Sequence, residues 1–122
     1  MVASSKAAVP PTASFEPGYV SALTAANRFL HAWQTGDPET GVVMLTDRAK
    51  QHTTEENLKQ FFSGGAPQAY EIGRGQRLRA GRYSFPVVLV TVSSGQRHVH
   101  RRFSDIVVLR VTKDDWLIDK LP

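Results

Sequence analysis

Asp105 has the setting in this sequence that most invites chemistry. Taking every second residue from 99 to 111 gives Val99, Arg101, Phe103, Asp105, Val107, Leu109 and Val111. The alternate set is His98, His100, Arg102, Ser104, Ile106, Val108 and Arg110. In a strand these sets point to opposite faces, and the more apolar first set is expected to face the interior. A carboxylate enclosed between Phe103 and Val107 needs a partner or a raised pKa. Asp105 is therefore the candidate catalytic acid or base. Arg101 shares its face but lies roughly 13 Å away at 3.3 Å per residue, too far to pair along the strand. An arginine on a neighbouring strand would instead make Asp105 part of a structural ion pair, the commoner role for such a group.

Three further side chains belong to the candidate pocket. On a helical projection of residues 17–35, Asn27 and Gln34 fall within the apolar arc and Tyr19 lies near its centre. Amides on such a face either line a polar pocket or satisfy backbone groups where helix meets sheet. A tyrosine there is more often a packed aromatic than a hydrogen-bond donor to substrate. Binding candidates are thus Tyr19, Asn27, Gln34 and Arg101.

Other chemistries find less support. His98 and His100 share one side of a strand, but a metal wants a third and usually a fourth ligand, and neither His31 nor His52 has matching spacing. No metal and no cofactor is expected. Gly73-Arg74-Gly75 lacks the third glycine and the following helix of a dinucleotide loop. There is no cysteine, and no serine has a nearby His–Asp arrangement in the sequence.

These residues must be held by elements that the periodicity outlines. Residues 17–35 read as an amphipathic helix, with Tyr19, Val20, Leu23, Ala26, Phe29, Leu30 and Trp33 on one arc and Gly36 as its stop. Asp37-Pro38 reads as an N-cap and first-turn proline opening a short second helix to Leu45. Thr53 with Glu56 matches a capping box for a third helix containing Leu58, Phe61 and Phe62. The period then changes to two. Four strands are expected over 68–79, 82–93, 97–111 and 116–121, the first bent at Gly73 and Gly75. Turn signals at Ala80-Gly81, Ser94-Gly95 and Lys113-Asp114-Asp115 join them into an antiparallel meander. The fold class is α+β: three N-terminal helices packed on a bent four-stranded antiparallel sheet, cone-like.

Length and charge bound the rest. At 122 residues the chain suits one domain, expected over 17–122, and can bury roughly two-thirds of its surface. Residues 1–16 are rich in Ala, Ser and Pro and read as a disordered linker or tail. That composition is compatible with a periplasmic or secreted location after loss of an upstream signal segment. No apolar run reaches a membrane span. Residues 67–122 carry ten basic and five acidic groups, against five and six in residues 1–66. A polyanion site using Arg97, Arg102 and Arg110 is one reading of that excess. Without a motif or aromatic stacking series, nucleic acid is not the expected partner. Val87-Val88-Leu89-Val90 is apolar on both faces, which predicts a covered outer sheet face, most simply by a second copy in a homodimer through the sheet.

Phe29-Leu30-His31-Ala32-Trp33 followed by Gly36-Asp37, and the closing Trp116-Leu117-Ile118-Asp119, resemble the packing motifs of the nuclear-transport-factor-2-like, or cystatin-like, cone superfamily. The resemblance spans about residues 17–122. It implies helices wrapped by a curled sheet, and a function anywhere among isomerases, dehydratases, polyketide cyclases, adaptors and non-catalytic domains. The expected function is a non-catalytic domain binding a small apolar or amphiphilic ligand or a protein. The alternative is a small lyase or isomerase of ketosteroid-isomerase or polyketide-cyclase type, with Asp105 moving the proton.

Overall fold

The computed structural model describes residues 16–63, 68–92 and 98–122. Four helices, α1 (Pro17–Thr35), α2 (Pro38–Val43), α3 (Asp47–Gln51) and α4 (Glu55–Phe61), precede five strands. The strands are β1 (Gln68–Ile72), β2 (Gln76–Arg79), β3 (Arg82–Val92), β4 (Val99–Arg110) and β5 (Trp116–Lys120). Of the expected tail only Glu16 is among the described residues.

Capping chemistry explains the helical half. α1 ends at Gly36, whose φ of 69° is a left-handed conformation that glycine adopts at little cost. The Asp37 carboxylate accepts the Thr40 amide at 3.2 Å, opening α2. Thr46 caps α3, a five-residue turn absent from the sequence reading. α4 starts one residue later than expected, with Thr54 accepting from the Asn57 amide at 3.0 Å in place of the Thr53–Glu56 pair.

The sheet is antiparallel and curved, in the order β1-β3-β4-β5, with β2 pairing the other end of the β3 edge that β1 uses. The first expected strand is thus two pieces. The break lies at Gly75, whose backbone runs so close to Phe85 that a Cβ there would sit 2.3 Å from the ring. The Gly75 amide instead donates to the Tyr19 hydroxyl at 2.9 Å. The outer edge of β5 is closed by the α2–α3 connection, through Ile118 N to Met44 O at 2.7 Å and Thr46 N to Ile118 O at 2.9 Å.

The core lies between α1 and the concave sheet face. Phe29, Leu30, Phe85, Ile106, Val108 and Ile118 are completely buried. Val20 departs from the expected arc and is exposed. Tyr83 and Phe85 pair across the sheet with Val108 and Ile106, so the even-numbered residues of β4 face inward. This reverses the facing expected for that strand. Arg101, Phe103 and Asp105 lie on the convex side and are exposed, Phe103 by 75%. The physical reason is that the concave side opens to water over the first half of β4, so its residues there are polar, while the convex side carries hydrocarbon. No helix among the described residues is long and apolar enough to cross a membrane.

Candidate functional site

The structure distributes the candidates that the sequence nominated. Asp105 faces outward and forms no ion pair among the described residues, so the expected enclosure between Phe103 and Val107 is absent. Arg101 is exposed on the same convex face. Asn27 and Gln34 are also exposed rather than within the buried arc, and both stitch α1 to β1. The Tyr70 hydroxyl donates to Asn27 Oδ1 at 2.8 Å, and Gln34 Nε2 donates to the Gln68 carbonyl at 3.0 Å. Tyr19 is buried in the core, its ring edge-on to Tyr83 at 5.9 Å.

A different group of residues surrounds a hollow beneath the short helices. A cavity of about 620 Å³ opens between α3, α4 and the ends of β4 and β5, within the roughly 300–1,000 Å³ typical of small-molecule sites. Ala49, Leu58, Phe61 and Leu121 supply its apolar wall. Arg48, His52, Arg82, Arg102 and Lys120 supply cationic or imidazole groups, and Asp119 is its one carboxylate side chain. A second hollow of about 340 Å³ shares Phe61 and Arg102 and continues toward Trp33, Leu89 and His100, with the expected binding residue Arg101 also in its lining, in the same range for small ligands. Together they form the mouth of the cone.

Asp119 organises the polar wall. It occupies the extra position where the pairing of β5 with β4 slips between Val107 and Val108. Its Oδ1 accepts the Thr46 hydroxyl at 2.8 Å, and its Oδ2 accepts Arg82 Nη1 in an ion pair. The same Thr46 oxygen accepts the Ala49 amide at 3.0 Å as the cap of α3. Burial works to raise the Asp119 pKa, but Thr46 and Arg82, with Arg48 adding, outweigh it and hold the group below the usual carboxylate value. Asp119 is therefore a fixed anion at neutral pH. Arg82 is largely spent on it, which leaves Arg48, Arg102 and Lys120 as the positive surplus of the mouth.

Two of these groups are oriented. Arg102 Nη2 donates to the Pro122 main-chain oxygen at 3.1 Å, and His52 Nδ1 contacts the Arg48 carbonyl at 2.8 Å. A carbonyl only accepts, so that contact needs the proton on Nδ1. The sequence reading did not assemble this site. Thr46 and Arg82 lie 73 and 37 residues from Asp119 in the chain, and no local spacing announces such a meeting. The one available signal was a carboxylate embedded in the apolar run Trp116-Leu117-Ile118-Asp119.

Helices first, then a curved antiparallel sheet enclosing a core that opens at one end: this is the nuclear-transport-factor-2-like cone. Among solved structures, a ketosteroid isomerase-like protein from Erwinia carotovora atroseptica superposes with a TM-score of 0.63. The match covers 87% of this chain and 94% of that one at 15% identity, a likeness of fold. No protein-family model matches the sequence, and a search of curated proteins returns no match.

Proposed function

We propose that this protein is a non-catalytic binding domain that takes a small amphiphilic anion into the mouth of the cone. The observation that carries this reading is the composition of the 620 Å³ cavity. Its apolar wall suits a hydrocarbon or ring body, while Arg48, Arg102 and Lys120 suit a carboxylate, sulfonate or phosphate head. Arginine in particular offers a planar donor fork matched to such oxyanions.

The isomerase alternative calls for a carboxylate or other base free to exchange a proton with substrate. Asp119 is held ionised by two strong partners, and Asp105 faces away from the cavity. These placements speak against either carboxylate as the proton-transfer group.

The test is fluorescence titration with 1-anilinonaphthalene-8-sulfonate, whose fused rings and sulfonate mimic the proposed ligand chemistry. The expected result is saturable binding of one probe per chain. Arg102→Glu should weaken it by about tenfold or more, since a lost charge-assisted contact is worth about 1.5–3 kcal/mol. Binding that is non-saturable, or unchanged in Arg102→Glu, would contradict the proposal.

A further inference from the structure

Beyond the reach of β5 the β3–β4 hairpin stands out from the rest of the sheet. β5 pairs with β4 only from Val107 to Arg110, whereas β3 pairs with β4 out to Val92 and Val99. Directly paired residues share a face of the sheet. Val92 with Val99, Val90 with Arg101, and Val88 with Phe103 therefore adjoin on the convex side. Phe103 is 75% exposed and Val99 50%. A lone exposed valine needs no explanation, but adjoining apolar side chains in one patch mark an interaction surface.

Charge says what this surface fits. From Ile72 to Ser104 the sequence holds no aspartate or glutamate. The outer end of the hairpin carries Arg101 on the convex side and Arg102 and His100 on the other, all exposed. The two carboxylates that bound the acid-free run, Glu71 and Asp105, face the convex side as well. Glu71 is level with Phe103 but two strands away, and Asp105 is two residues further from the hairpin's end. The face is thus apolar and cationic toward its end, and acidic toward the body of the protein.

We propose that the outer end of the β3–β4 hairpin docks on an anionic lipid surface. Val99 and Phe103 enter the boundary between headgroups and acyl chains, and Arg101 and Arg102 reach the lipid phosphates. Neither the small apolar patch nor the pair of arginines suffices alone. Membrane-surface binding grows with buried apolar area and attraction to anionic lipid together. The backbone limits the depth. From Val99 to Asp105 the outer edge of β4 has no partner strand among the described residues, and unpaired N–H and C=O groups do not enter hydrocarbon. A slanted approach with Val92 and Val99 leading and Phe103 following keeps that edge at the headgroups and both carboxylates in water. A soluble polyanion would engage the arginines and leave the Phe103 ring exposed, whereas a lipid surface takes up both. The proposal does not depend on what occupies the mouth of the cone.

Vesicle flotation tests this, using phosphatidylcholine alone and phosphatidylcholine mixed with phosphatidylglycerol, with circular dichroism to confirm folding of each variant. The wild-type chain should float with the anionic vesicles, stay behind with the neutral ones, and be released as salt rises. Arg101→Glu should lower the partition coefficient by about tenfold or more, because it reverses a charge beside the surface. Phe103→Ser should lower it by about tenfold or more through loss of inserted hydrocarbon. Failure of the wild type to float with anionic vesicles, or equal uptake by neutral ones, would overturn the proposal. Binding lost in Arg101→Glu but kept in Phe103→Ser would make the patch a site for soluble polyanions. A wild-type dimer that Phe103→Ser disperses, with no vesicle binding, would put a second copy there. Either of these results overturns the lipid surface as occupant.

Discussion

From Ile106 to Val108 strand β4 is buried on both faces, whereas from Val99 to Asp105 only Ser104 is even partly covered. The difference follows from neighbours. β3 accompanies β4 along its whole length, but β5 pairs with it only from Val107 to Arg110. Where strands lie on both sides and α1 lies beneath, alternation of side chains has its usual meaning of core against cover. Where β4 runs on past β5, its concave residues line an open mouth and its convex residues present hydrocarbon outward. One strand thus belongs to the scaffold at one end and to the candidate functional surfaces at the other.

Substitutions can break this comparison at its closed end most severely. Phe85 pairs with Ile106 and is fully buried between Tyr19 and Tyr83. Phe85→Ala should cost about 3–5 kcal/mol of unfolding free energy in denaturant titration. A loss below ~1 kcal/mol would mean that the closed end is loosely packed. Asp119, at the boundary of the two regions, comes next. Asp119→Asn leaves Arg82 without its counter-ion and should cost about 2–4 kcal/mol at pH 7.

The pH dependence has a definite sign. The pKa of Asp119 is lowered in the fold, so its stabilisation is present above the unfolded value and is lost as pH falls through the folded value. Thermal melts of the wild type should therefore fall more steeply than those of Asp119→Asn below about pH 4, near the unperturbed carboxylate value. Parallel acid limbs would show that the ion pair contributes little. At the open end, Arg102→Glu should change stability least, by no more than about 0.5 kcal/mol, as for an exposed side chain, while still weakening the probe. A large loss of stability there would make Arg102 part of the scaffold.

The closed end was also the legible one. Apolar spacing and Gly36 mark α1, Asp37-Pro38 marks α2, and Gly73 and Gly75 mark a bend, where the structure goes further and splits the expected strand into β1 and β2. The short turn of α3 escaped notice since its five residues carry no apolar period. The face of β4 is not legible from apolarity, because Val99 and Phe103 lie on the outside of the sheet. Asn27 and Gln34 sit at the edge of the helical arc, where a small rotation separates burial from exposure. The mouth itself joins α3, α4 and three strands across long sequence separations, which only the tertiary fold brings together.

Whether the mouth holds an amphiphilic anion is tested most directly by amide chemical-shift mapping with decanoate, in a 1H–15N correlation experiment. The shifts should saturate and concentrate at Ala49, Asn57, Leu58, Arg102 and Leu121, which line the cavity. Shifts confined to the convex residues around Val88 and Phe103, or no saturable shifts at all, would contradict it.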